Sequence, residues 1–221
     1  MSLLFGVDEA GRGPILGPMT IAVVAVDRAA TRKLKQLGVA DSKTFGSGQA
    51  GQAARAQLAT AIRATAVRSL VRVVHVEQID SYTFRGLLNA LERRVVLELL
   101  DALEAQRTET IICDGARMFS PLTRQYPRLR AVNNGEAAHV SVAAASILAK
   151  DERDREFAII AKRYENEFGP VTGGGYGNAA TNRFLAAYKA RYGTLPPEAR
   201  KSWGAAKRRT TSVRATSRPS I

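Results

Sequence analysis

Four acidic residues stand where apolar segments end. Asp8 and Glu9 follow the run Leu3-Leu4-Phe5-Gly6-Val7 and precede a glycine-rich turn. Asp114 closes Thr110-Ile111-Ile112-Cys113, and Glu136 stands immediately before a run of small residues. An ionised group at the edge of a buried element is costly unless something positive pairs with it. Carboxylates from separate segments are the ligands that hard cations such as Mg2+ or Mn2+ take. Two such ions about 4 Å apart can clamp both sides of a phosphate during in-line displacement. One lowers the pKa of the attacking water and the other stabilises the leaving 3′ oxygen. Phosphodiester hydrolysis of this kind needs carboxylates more than histidine, and the chain has only His75 and His139. A structural reading competes with the catalytic one. Asp114-Gly115 is an ordinary strand-ending turn, and Glu136 complements a helix dipole as a first-turn acid. Strand neighbours also point to opposite faces, so Asp8 and Glu9 share a site only if the strand twists out at its end.

The elements that must hold these acids follow from periodicity and punctuation. Leu3 to Val7 and the β-branched run Ile21 to Val26 read as strands. Gly11, Gly13, Pro14, Gly17 and Pro18 punctuate the link between them, and so short a link predicts an antiparallel pair. Arg55 to Arg68 is Ala-rich and helix-compatible, and Val71 to Val76 reads as a third strand. Between Tyr82 and Ala105, Leu87, Leu88, Leu91, Val95, Leu99 and Leu103 recur at helical spacing. Thr110 to Cys113 is a fourth strand, and a fifth lies near Leu129 to Val132. Ala137 to Lys150 is a small-residue helix with little polar surface, hence buried. Arg155 to Phe168 continues as a helix. A glycine-rich loop, Thr172 to Asn178, leads to a helix from Ala180 to Tyr192, stopped by Gly193 and Pro196-Pro197. Strands first, then strands alternating with helices, predict an α/β protein with a mixed sheet and helical additions at the C-terminal end.

With 221 residues, 45% hydrophobic and 24% charged, the chain can bury a core of ordinary size. There is no long charge-free apolar run, and the N-terminus enters a strand-like segment rather than a signal peptide. Cys113 is the only cysteine, so no internal disulfide forms and a reducing cytoplasm is expected. The net charge of +13 attracts polyanions, chiefly nucleic acid. Six cations lie between Lys201 and Ile221; without them the rest still carries +7. The Ser/Thr/Arg-rich stretch 209–221 reads as a basic, disordered tail.

The stretch Gly6-Val7-Asp8-Glu9-Ala10-Gly11-Arg12-Gly13-Pro14, continuing to Gly17-Pro18, closely resembles the opening signature of ribonuclease HII. Asp41-Ser42-Lys43, Asp114-Gly115, Ala144 to Lys150 with Arg153-Asp154, Gly175-Tyr176-Gly177 and Lys201-Ser202-Trp203 resemble further elements of that family, in order, over residues 4–207. The resemblance implies a ribonuclease H-like five-stranded mixed sheet flanked by helices. It places the catalytic domain in residues 1–165, a helical substrate-binding extension in 166–208 and the tail beyond. It implies cutting of RNA in RNA–DNA hybrids and at single ribonucleotides in duplex DNA, with two Mg2+ or Mn2+ ions, leaving 5′-phosphate and 3′-hydroxyl ends. Asp8, Glu9, Asp114 and Glu136 become the metal-site acids. Gly11, Arg12 and Gly13 become the loop whose backbone feels the 2′-hydroxyl, the group that distinguishes RNA from DNA. Lys43 becomes a phosphate contact, Ser146 a phosphate contact or packing, and Tyr176 the ring against the sugar on the DNA side. A monomer is expected, with a sliding-clamp contact conceivable through the tail.

One residue departs from the pattern. The family usually has Asp at the fourth acid, with Lys two residues before it; here Asn134-Gly135-Glu136 stands there. Glu136 and the following Ser141 to Ile147 look more like the sister family, ribonuclease HIII, which prefers longer RNA stretches. A third reading is a non-catalytic basic nucleic-acid-binding protein. Arg12 either touches phosphate or holds its loop. Arg183, Lys189 and Arg191 grip backbone phosphates or form a solvated face. Trp203, His75, His139 and Cys113 are expected to be structural.

Overall fold

An apolar run of β-branched residues buries both of its faces only inside a covered sheet. The strand β2, Met19–Val26, does so: all eight residues are buried. The structure is a computed structural model that describes residues 3–39 and 48–203. Lys43, with Asp41 and Ser42, lies outside the described residues, as does the basic tail. β2 pairs antiparallel with β1, Leu4–Ala10, in the register Asp8↔Ala22. On its other edge β1 pairs in parallel with β4, Thr110–Asp114, which pairs in parallel with β5, Leu129–Val132. With β3, Arg68–Val74, the mixed sheet has the order β3-β2-β1-β4-β5. The last β1–β4 pair is Val7↔Cys113. Asp8 and Asp114 therefore follow it at the same end of adjacent parallel strands.

The helices are α1 (Arg28–Gln36), α2 (Gln49–Thr65), α3 (Val76–Thr83), α4 (Leu88–Ala102), the short α5 (Ala116–Phe119) and α6 (Gly135–Ala138), α7 (Val140–Phe168) and α8 (Ala179–Tyr192). Sequence reading missed α1, which Asp27 caps by accepting from Ala30 N at 2.7 Å. α2 begins before Arg55 and stops short of Arg68, where β3 starts. The helix expected over Tyr82 to Ala105 is α4, and the separate α3 that precedes it was not expected. The chain turns between them at Gly86, whose φ of 72° is one that glycine adopts without strain. The helix expected over Ala137 to Lys150 and its continuation over Arg155 to Phe168 form α7, of 29 residues, which starts at Val140.

The chain forms two compact units. The first takes the described residues up to Arg12, those of Met19–Val73, and Glu92–Glu156. Its core packs β2 against the small-residue part of α7: Ala22, Val24, Ala143, Ala144, Ile147 and Leu148 are fully buried. Alanines and Gly6 let the helix approach. A β-carbon on Gly6 would fall 2.1 Å from the Ser141 carbonyl carbon. The second unit takes Gly13–Pro18, Val74–Leu91 and the described residues from Phe157 onward. Leu16, Ile160, Val171, Phe184 and Ala199 form its core, with Tyr164, Phe168 and Tyr188 packed against it. Among the described residues no helix is long and apolar enough to cross a membrane.

Candidate active site

The first unit gathers the four acids predicted from sequence. Asp8 ends the buried part of β1 and accepts from Glu9 N at 2.8 Å. Burial pushes its carboxyl up from 3.8 to about 6, and the charge of Asp114 adds to this. The nearby Ser146 hydroxyl and the charge of Lys150 work in the opposite direction. Glu9 is pushed further, to about 8, first by burial and then by the charges of Asp8 and Glu92, against a partial offset from Arg12. Asp114 accepts from Gly135 N at 3.3 Å, which ties the end of β4 to the start of α6. Glu136, the next residue, takes Ser146 Oγ at 3.0 Å and Lys150 Nζ at 3.4 Å on the same carboxylate oxygen. Ser146 and Lys150 sit four apart on α7, hence on one face. Fully buried Ser146 donates its hydroxyl proton to Glu136 and lies near enough to Asp8 to favour its ionised form.

Asp8 and Glu9 keep different company, as strand alternation requires. Asp8 faces Ser146 and Lys150 of α7, whereas Glu9 feels Glu92 and Arg12. Both still sense Asp114. Among the described residues no three Asp, Glu, His or Cys side chains converge as a group that could hold one ion. The donor chemistry does fit a hard divalent cation, since every donor is a carboxylate oxygen. Burial and mutual repulsion leave Asp8 and Glu9 short of positive charge, which a cation would supply.

Sequence reading gave no role to Lys150 or Glu92. Glu92 is fully buried on α4, and its Oε1 takes Arg12 Nε at 2.8 Å. Its Oε2 is buried with no hydrogen-bond partner among the described residues. An acid inside the apolar spacing of Leu88, Leu91, Val95, Val96 and Leu99 was the available signal. The ion pair settles Arg12 on α4 and supports the reading in which Arg12 holds its loop.

The second unit carries Gly13 and Tyr176. The Gly175 carbonyl accepts from Ile15 N at 2.8 Å and Leu16 N at 3.1 Å, so the two loops are stitched together. A β-carbon on Gly13 would lie 3.9 Å from the ring of Tyr176, and that ring is 53% exposed. An exposed ring beside a bare glycine offers a flat apolar surface at the edge of a backbone turn. Arg191 contacts Glu167 at 3.3 Å. His75 precedes α3 rather than lying in a strand, and His139 closes α6 rather than lying within a helix. Cys113 is fully buried, and burial pushes its thiol far up, so it is inert packing.

Solved structures of this architecture include ribonucleases H. The chain matches the PCNA:RNase HII complex from Archaeoglobus fulgidus with a TM-score of 0.74 and 29% identity, over 91% of this chain and 95% of that one. It matches Bst-RNase HIII in complex with Mn2+ with a TM-score of 0.71 and 26% identity, over 94% and 71%. Sheet and helices are thus those of a metal-dependent ribonuclease H. The profile of the family described as Ribonuclease HII matches residues 5–206. Ribonuclease HII of Thermococcus sibiricus is 31% identical over 208 residues, 90% of this chain and 88% of that protein. The chain belongs to the ribonuclease HII family.

Proposed function

We propose that this hydrolase cuts the RNA strand of RNA–DNA hybrids and nicks on the 5′ side of single ribonucleotides in duplex DNA, leaving 5′-phosphate and 3′-hydroxyl ends. The observation that carries the reading is the alignment of Asp8 and Asp114 at one end of paired parallel strands, with Glu136 held by Ser146 and Lys150 of α7. Asp8, Glu9, Asp114 and Glu136 would hold two Mg2+ or Mn2+ ions. Bound there, the ions supply an activated water and charge stabilisation for the leaving 3′ oxygen. The protein's own residues do the positioning. Ser146 and Lys150 hold Glu136, Gly135 N holds Asp114, and Asp8 is buried at the end of β1. Gly11, Arg12 and Gly13 read the 2′-hydroxyl through their backbone, and Tyr176 packs on the following sugar. Lys43 is proposed as a phosphate contact. Residues 1–165 would carry the chemistry and 166–208 the substrate-binding extension.

A second reading, ribonuclease HIII-like preference for long RNA stretches, rests on Glu136. Its carboxylate reaches one methylene further than Asp, and here that reach is taken up by Ser146 and Lys150. The intact Gly11-Arg12-Gly13 favours the first reading. A purely binding protein has no need to concentrate buried carboxylates where phosphates must sit. The tail from Lys207 onward is proposed to add non-specific affinity or a clamp contact in a cytoplasmic protein. Truncation before Lys207 is then expected to weaken substrate binding most at low salt, and unchanged affinity would remove that role. Asp114→Asn tests the site itself. Cleavage of an RNA–DNA hybrid should fall by more than about a hundredfold with folding retained, beyond what outer-sphere changes cost. Cleavage within a few-fold of the parent would place the reaction elsewhere.

A further inference from the structure

The second unit contains a polar strap that ends on the Gly-Arg-Gly turn. Its anchor is Asp80 of α3, nearly buried, which accepts from Lys201 N at 2.9 Å, Ser202 N at 3.1 Å and Ser202 Oγ. From there residues 198–203 lie along residues 13–17. Gly17 N donates to Glu198 O at 2.8 Å, Arg200 N donates to Ile15 O at 2.8 Å, and Leu16 bridges Ala199. The buried Arg200 donates from Nε to Gly17 O at 2.9 Å, and its guanidinium lies 4.9 Å from the Trp203 ring centroid. The last link is Trp203 Nε1, which donates to the Gly13 carbonyl at 3.2 Å.

That carbonyl belongs to an unusual peptide. Glycine leaves its backbone free to swing. The next residue is Pro14, which has no N–H, so the carbonyl is the peptide's one hydrogen-bonding group. The hydrogen bond from Trp203 therefore adds to the restriction that Pro14 places on Gly13 in holding its orientation. We infer that Trp203, anchored through Ser202 to Asp80, is a positioning residue that fixes the Gly13 peptide beside Tyr176 and so sets how strictly a lone ribose is read. The inference rests on the proposed role of Gly11 to Gly13 in sensing the 2′-hydroxyl. In a long hybrid every position offers a 2′-hydroxyl, so a loosened turn still finds one in register. In a duplex with one ribonucleotide it has a single chance.

Trp203→Phe removes the donor and keeps an aromatic ring. Cleavage at a single ribonucleotide is expected to lose about five- to tenfold in kcat/KM, the worth of one net hydrogen bond. Cleavage of a long hybrid is expected to stay within about twofold. Ser202→Ala, which loosens the anchor and leaves the Trp203 donor in place, is expected to shift the ratio the same way by less, and it serves if Trp203→Phe folds poorly. An unchanged ratio of the two rates, whether both fall together or neither moves, would overturn the inference. A parent protein that does not cut at the single ribonucleotide would instead remove the underlying reading of the turn.

Discussion

Glu9 and Asp8 are carboxylates that the fold holds in surroundings made for the protonated form. Glu9 moves from 4.5 to about 8 and Asp8 from 3.8 to about 6, chiefly through burial. Folding then favours proton uptake by both groups. The stability they contribute is fully present below their ordinary pKa values and is lost as pH rises through about 6 for Asp8 and about 8 for Glu9. In the presence of a chelator the melting temperature is expected to fall over that window. Saturating Mg2+ or Mn2+ should restore it, with a larger shift near pH 8 than near pH 5, because a cation replaces the proton as the neutralising charge. A metal-induced shift of equal size at both pH values would contradict this. The acids were legible because each ends an apolar run. Glu92 and Lys150 were not, because their importance lies in partners 80 and 14 residues away in sequence.

Elements were legible where local pattern and tertiary demand agree. The apolar strands appeared near their expected positions, and the short link between β1 and β2 gave the antiparallel pair that was expected. In α7 the charged residues Asp151, Glu152, Arg153 and Asp154 interrupt the apolar pattern. The interruption is answered from α2. Arg63 contacts Asp151 at 3.3 Å and Arg55 contacts Asp154 at 2.7 Å, so charges that seem to break the helix are paired across the fold. No local window shows such compensation. Nor does one show that residues 13–18 and 74–91 join the unit built by the C-terminal helices. The close approach of α7 to β1 belongs to this scale as well. Gly6→Ala would put a methyl 2.1 Å from the Ser141 backbone. Because the obstacle is main chain, helix and strand must separate. A loss of about 3 kcal/mol or more in denaturant unfolding is expected. A change under about 1 kcal/mol would show that the contact is looser than described.

At the scale of the whole molecule, a chain of net charge +13 sets Asp8 and Asp114 at the same end of adjacent strands of its central sheet. The basic surplus draws in a polyanion, and in the proposed function cations held by the acids would make its phosphates reactive. Charge alone left nucleic acid as a general partner, and the ordered motifs narrowed it to the ribonuclease HII family. The central claim is that this site reads a single ribose and cuts beside it. Its most direct test is a DNA duplex with one embedded ribonucleotide, incubated with Mg2+ or Mn2+, beside a long RNA–DNA hybrid, with Asp8→Asn as the control. A cut on the 5′ side of the ribonucleotide, lost in the Asp8→Asn protein, is expected. Cutting of the long hybrid alone would contradict it in favour of ribonuclease HIII-like specificity, and equal cutting by the Asp8→Asn protein would show that the site lies elsewhere.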